Sequence, residues 1–189
     1  MTADATPQAN PYGAVALSRA IVLIIPGLFI TFTPGHTSQF GLIVLGSTAL
    51  VLALVQGAVS IRLLRGHPGR GFHLFQSAVS LVIGVLALAL SGLGIGLLLW
   101  ALVVWALLLG GSEIFAGLRL PRRHLLRRDW ITQGLLTVGL ALIVLTQSAD
   151  SVAVVGFLGA WAIVMGVYLV IAAITHKSMD RALNEKVSP

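Results

Sequence analysis

Hydrophobic residues in this chain fall into six long runs separated by short polar breaks. The runs cover roughly 19–34, 40–62, 73–91, 95–118, 131–147 and 152–175. A helix that crosses a bilayer needs about 20 apolar residues, with a range of about 17–25. Each run therefore predicts one transmembrane helix; the first, third and fifth are near the short limit. Three breaks are tight: Pro34-Gly35-His36-Thr37-Ser38-Gln39, Ser91-Gly92-Leu93-Gly94 and Gln147-Ser148-Ala149-Asp150-Ser151. Short turns between long helices force antiparallel neighbours. The expected fold is an all-α membrane protein of six transmembrane helices in three antiparallel hairpins.

The hairpins repeat. Gly84 and Gly139 stand 55 residues apart, as do Gly111 and Gly166, and Gly57 and Gly111 stand 54 apart. This spacing predicts units of about 18–66, 71–120 and 129–176, set around a pseudo-threefold axis, with a plain row of hairpins as the alternative. Together they make one domain, 18–176. It is flanked by a small polar tail at 1–17, expected to be disordered, and a second tail at 177–189.

Composition supports lipid as the main solvent. Only 10% of residues are charged, against about 25% in a soluble domain. The absence of cysteine excludes disulfides and thiolate chemistry. The net charge of +6 would suggest nucleic acid, but its placement explains it otherwise. All 12 Lys and Arg fall on one side. Arg62, Arg65 and Arg70 follow the second run, and Arg119, Arg122, Arg123, Arg127 and Arg128 follow the fourth. Lys177, Arg181 and Lys186 follow the sixth, and Arg19 heads the first. The opposite side carries only His36 and Asp150. The positive-inside rule places both termini in the cytoplasm, so no nucleic-acid partner is expected.

Candidate chemistry is sparse. Glu113 is the one carboxylate inside an apolar run, and an intramembrane ionisable residue is a functional candidate by default. It follows Gly110-Gly111-Ser112. The repeat sets it level with Val59 and Tyr168, and Arg62 lies three residues beyond Val59. The expected arrangement is a Glu113–Arg62 clamp between the second and fourth helices. The alternatives are a hydrogen-bonded neutral acid, proton or ion handling, and lipid or substrate binding. Pro26, mid-span, removes a backbone donor and clashes with the carbonyl of Val22, which predicts a kink. Small residues (Gly46, Ser47, Gly57, Gly110, Gly111, Ala116, Gly117, Gly156, Ala160, Ala162, Gly166) allow close helix approach, on which association in lipid depends. The loop at 119–130 is rich in arginine, with Leu125, Leu126 and Trp130 interleaved. Its Arg122, Arg123, Arg127 and Arg128 are expected to contact anionic headgroups. The histidines never fall at i, i+3 or i+4, so no metal site is expected. Nothing predicts a cofactor or catalytic residues, and the chain is not expected to be an enzyme.

Pro26-Gly27-Leu28-Phe29-Ile30-Thr31-Phe32-Thr33-Pro34 reads as an apolar run, a glycine, a second apolar run and a proline before the turn. Gly46 and Gly57 mark the helix that follows. In these features, and in the threefold hairpin plan over about 18–176, the chain resembles the HdeD family of bacterial acid-resistance membrane proteins. The later turns lack the proline, with Ser91 and Thr146-Gln147 in its place. The resemblance implies a multi-pass protein of the bacterial inner membrane, linked to acid or envelope stress through bilayer or proton permeability. The alternative is a structural accessory subunit of a larger membrane complex. Expected partners are membrane lipids, with a homo-oligomer or larger complex as further options.

Overall fold

The structure, a computed structural model, describes residues 11–65, 69–122, 124–147 and 150–187, and their side chains apart from those of 11, 125 and 179–187. Six helices follow in order: α1 (Pro11–Phe32), α2 (Ser38–Arg62), α3 (Arg70–Ala89), α4 (Ile95–Arg119), α5 (Leu125–Leu145) and α6 (Ser151–Val187). All six are long and apolar enough to cross a membrane, and the described residues contain no strand.

The turns use ordinary capping chemistry. Gly35 and Gly94 both adopt φ of 82°, a left-handed conformation that suits glycine. Thr37 accepts a hydrogen bond from the Phe40 amide at 3.2 Å and starts α2. Asp150 accepts from the amides of Val152 and Ala153 and starts α6, so a helix cap accounts for the acid on that side. Ser151 Oγ donates to the carbonyl of His36 at 3.1 Å and ties the first turn to the last.

Two boundaries differ from expectation. Helix α1 begins at Pro11, with proline in the first turn, where its missing N–H costs nothing. Residues 11–17 are therefore helical rather than tail; residues 1–10 lie outside the described part. Helix α6 continues past 177 to Val187, so most of the expected second tail is helix. Pro26 lies within the continuous helix α1.

The packing follows a plan that the turns alone do not reveal. The most extensively packed pairs are α2 with α3, α4 with α5, and α6 with α1. Each joins the end of one hairpin to the start of the next, and the last closes the set on itself. Glycine sets this pattern. A Cβ at Gly134 would stand 2.5 Å from the carbonyl oxygen of Gly110, and one at Gly84 would stand 3.0 Å from that of Gly46. A Cβ at Gly27 would stand 3.2 Å from the carbonyl oxygen of Gly159. Seven residues further along, each pair touches again through small side chains or bare backbone. A Cβ at Gly117 would meet the Arg127 carbonyl at 3.1 Å, and one at Gly166 would meet the Ala20 carbonyl at 3.3 Å. Ser77 Oγ donates to the Ala53 carbonyl at 2.7 Å. Apolar burial gives little drive between helices in lipid, so this close approach supplies the packing.

The even helices are the more buried set and form the centre. Leu42, Leu45 and Leu52 of α2 meet Leu98, Leu102 and Trp105 of α4, and Val154, Val155 and Leu158 of α6. The Trp105 ring stands edge-on to Trp161, centroids 5.5 Å apart, and its Nε1 donates to Ser80 Oγ at 3.1 Å.

Candidate polar site at the basic end

Most of the buried polar groups gather at one end of the bundle; Ser80 of α3, which accepts from Trp105, lies at mid-span. Arg19 of α1, His73 and Gln76 of α3, Glu113 of α4, and Gln133 and Thr137 of α5 are all nearly inaccessible. So are Gln56 and Ser60 of α2 and His176 of α6. Apart from Thr137, near the middle of α5, they lie toward the ends of the helices that adjoin the arginine-rich segments.

An ion pair anchors the group. Arg19 Nη2 donates to Glu113 Oε1 at 2.6 Å, with the side chains 6% and 1% exposed. Arg19 Nη1 donates to Gln133 Oε1 at 3.0 Å, and Gln76 Nε2 donates to Glu113 Oε1 at 3.3 Å. Three helices thus meet at one carboxylate, and a fourth, α5, joins through Arg19. A charge is costly at this depth unless paired and hydrogen-bonded, and here both conditions hold. The backbone carbonyl of Gln133 accepts from Thr137 Oγ1, one turn on, at 2.9 Å.

This corrects the expected partner of Glu113. Arg62 is exposed and forms no ion pair among the described residues. The clamp joins α4 to α1, not to α2. The reason lies in the start of α1. Because that helix begins at Pro11, Arg19 is eight residues inside it, about 12 Å by helical rise, rather than at its mouth. The signal was present: Tyr12-Gly-Ala-Val-Ala-Leu upstream of Arg19 extends the apolar run. Gln56, Gln76 and Gln133 are likewise polar breaks inside apolar runs, and His73 opens one.

The other anticipated residues scatter. Tyr168 belongs to a second cluster, where its hydroxyl donates to Asp129 Oδ1 at 3.2 Å and His176 Nε2 meets Asp129 Oδ2 at 3.0 Å. Ser112 Oγ donates to the Leu109 carbonyl at 2.7 Å. Gly111 has no atom within 4 Å of the position its Cβ would take, so it faces outward while Gly110 takes the tight contact. Pro26 lies in the opposite half of α1. Arg122 and Arg128 are exposed; Arg127 instead donates to the carbonyl of Leu120 at 2.7 Å. Arg123 lies outside the described residues.

Two spaces adjoin the ion pair. A cavity of about 20 Å³, water-sized, is lined by Arg19, His73, Asp129, Gln133 and His176 among others. Both ring nitrogens of His73 and Glu113 Oε2 find no hydrogen-bond partner among the described residues. A larger groove of about 810 Å³ opens sideways between α3 and α4. Trp130 lines both spaces and stands between them.

No curated protein and no solved structure matches the chain. A family model described as "Short repeat of unknown function (DUF308)" matches residues 18–89, 75–146 and 147–184. The first two matches overlap over residues 75–89, within α3, whereas the third begins where the second ends, in the turn before α6. With three matches running through all six helices, the chain belongs to the DUF308 short-repeat family.

Proposed function

We propose that this is a multi-pass protein of the bacterial inner membrane, with both termini cytoplasmic. Its role is in acid or envelope stress, through an effect on the bilayer around it rather than through catalysis or a proton channel. HdeD-like proteins fall in the same repeat family, which supports the stress link. The observation that carries the bilayer reading is the one-sidedness of the polar site. Glu113 is six residues from the end of α4, about 9 Å by helical rise. Beyond it Thr137 and the Trp105–Ser80 pair are buried polar groups at mid-span. From there the interior is Leu98, Leu102, Leu45, Leu42, Val154 and Leu158, so among the described residues no chain of buried polar groups reaches the far end to lead a proton across.

The test uses purified protein in liposomes that enclose a pH dye. After an acid jump, proton entry is expected to be no faster than in protein-free vesicles. In cells, removal of the protein is expected to lower survival of acid shock. Faster proton entry that Glu113→Gln abolishes would overturn the bilayer reading. Unchanged acid survival would overturn the stress link, and a fixed stoichiometric partner on mild purification would favour the accessory-subunit reading.

A further inference from the structure

The sideways groove between α3 and α4 has the features of a lipid site. Its walls are Phe72, Phe75 and Phe115, backed by Trp130, and its notch is Gly111. Phe75 and Phe115 are about half exposed, so the groove opens outward from the bundle. The notch exists because of a one-residue contrast: a Cβ at Gly110 would meet three atoms within 2.9 Å, whereas one at Gly111 would meet none within 4 Å. Ser112 does not make the floor polar, because its hydroxyl is already spent on the Leu109 carbonyl. The volume, about 810 Å³, is in the range of sites that hold a small ligand, about 300–1,000 Å³.

One end of the groove is charged. Arg119 closes α4 there, its guanidinium 4.3 Å above the Phe115 ring, and it forms no ion pair among the described residues. Exposed Arg70 begins the facing helix, and exposed Arg122 follows in the loop. Arg119 is eight residues from Gly111, about 12 Å along the helix. One leaflet of hydrocarbon is about 15 Å deep, half of the usual core. A chain that hangs from a headgroup at Arg119 therefore reaches past the notch.

We propose that this groove binds one anionic glycerophospholipid, with its phosphate at Arg119 and an acyl chain against Gly111 between the phenylalanines. A second copy of this chain fits less well, because a two-fold contact brings each surface patch against itself and would set these arginines against one another. The lipid site is separate from any effect on proton leak: a tightly held lipid would remain whether or not leak changes.

Native mass spectrometry of the full-length protein, released from mild detergent and titrated with phosphatidylglycerol or phosphatidylcholine of the same chains, tests it. The unaltered protein is expected to retain one phosphatidylglycerol in preference to phosphatidylcholine. Arg119→Gln should cut that preference about fivefold, equivalent to about 1 kcal/mol for one basic group at the surface. Gly111→Trp should fill the notch and remove the retained lipid of either kind, and Arg62→Gln should change neither. Equal retention of the two lipids by the unaltered protein, or an unchanged preference in Arg119→Gln, overturns the charge assignment. A retained lipid in folded Gly111→Trp overturns the groove. A dimer that Gly111→Trp dissociates hands the groove to a second copy. If Gly111→Trp does not fold, exposed Arg119 carries the test alone.

Discussion

Removal of Arg19 should be the most damaging change at the polar site. Arg19→Ala deletes the 2.6 Å ion pair to Glu113 and the 3.0 Å bond to Gln133 together. It leaves a carboxylate 1% exposed with only the 3.3 Å bond from Gln76. Glutamate is too short to reach water from there. One partner removed from a buried pair costs about 3–5 kcal/mol. For a protein of this size each kcal/mol lowers Tm by about 2–4 °C, so the expected drop is roughly 6–20 °C. Glu113→Ala should cost less, about 1.5–3 kcal/mol, the worth of a hydrogen bond to a charged group. The freed Arg19 keeps Gln133 and has a stem long enough to snorkel. The double variant should be less damaged than the sum of the two, with a coupling of about 0.5–3 kcal/mol. Glu113→Gln, which can still accept from Arg19 and Gln76, should be mildest. Thermal unfolding of these four variants and of Arg62→Ala in one detergent measures this. Strict additivity, or Arg19→Ala no worse than Arg62→Ala, would refute the pair as an energetic unit.

Further outcomes follow from the packing and the charge pattern. Gly134→Ala places a methyl 2.5 Å from the Gly110 carbonyl and should destabilise the bundle on heating. Gly139→Ala, with nothing within 4 Å, should be neutral or stabilising by up to about 1 kcal/mol through helix propensity. Single cysteines at His36 and Asp150 should react with an impermeant reagent added outside intact cells, and one at His124 should not; strong outside labelling at 124 would invert the topology. Arg127→Gln should lower thermal stability because it loses the bond to Leu120. Exposed Arg122→Gln and Arg128→Gln should instead weaken binding to anionic vesicles with little change in Tm.

Length and hydropathy made the six helices legible, since only a helix with its backbone bonds satisfied internally crosses lipid without a barrel. Glu113 stood out for the same reason: a lone acid in an apolar run needs an explanation. Its depth could be counted from the helix end, but its partner could not. Repeat spacing ranks residues along the membrane normal and carries no information about which helix lies beside which. Arg62 was at a suitable depth on the wrong neighbour, and Arg19 was misplaced by the start assigned to α1. The hairpin plan shows the same split. Short turns fix direction, whereas close packing is set by facing glycines, and by small residues or bare backbone seven residues on, across the hairpin boundary. Gly110 and Gly117 were identifiable as small; that Gly111 between them points the other way is a matter of helix azimuth.

The union of α6 with α1 has a consequence for synthesis. Of these six helices, the first to leave the ribosome packs chiefly against the last. Until then α1 sits in the bilayer without its main neighbour, and with an arginine two turns inside its span. Glu113 follows Arg19 by 94 residues. At about 5–20 residues per second, that arginine waits about 5–20 s for its carboxylate. Meanwhile its own length is its means of reaching water. A nascent chain halted after α3 would thus hold an open seam on α1.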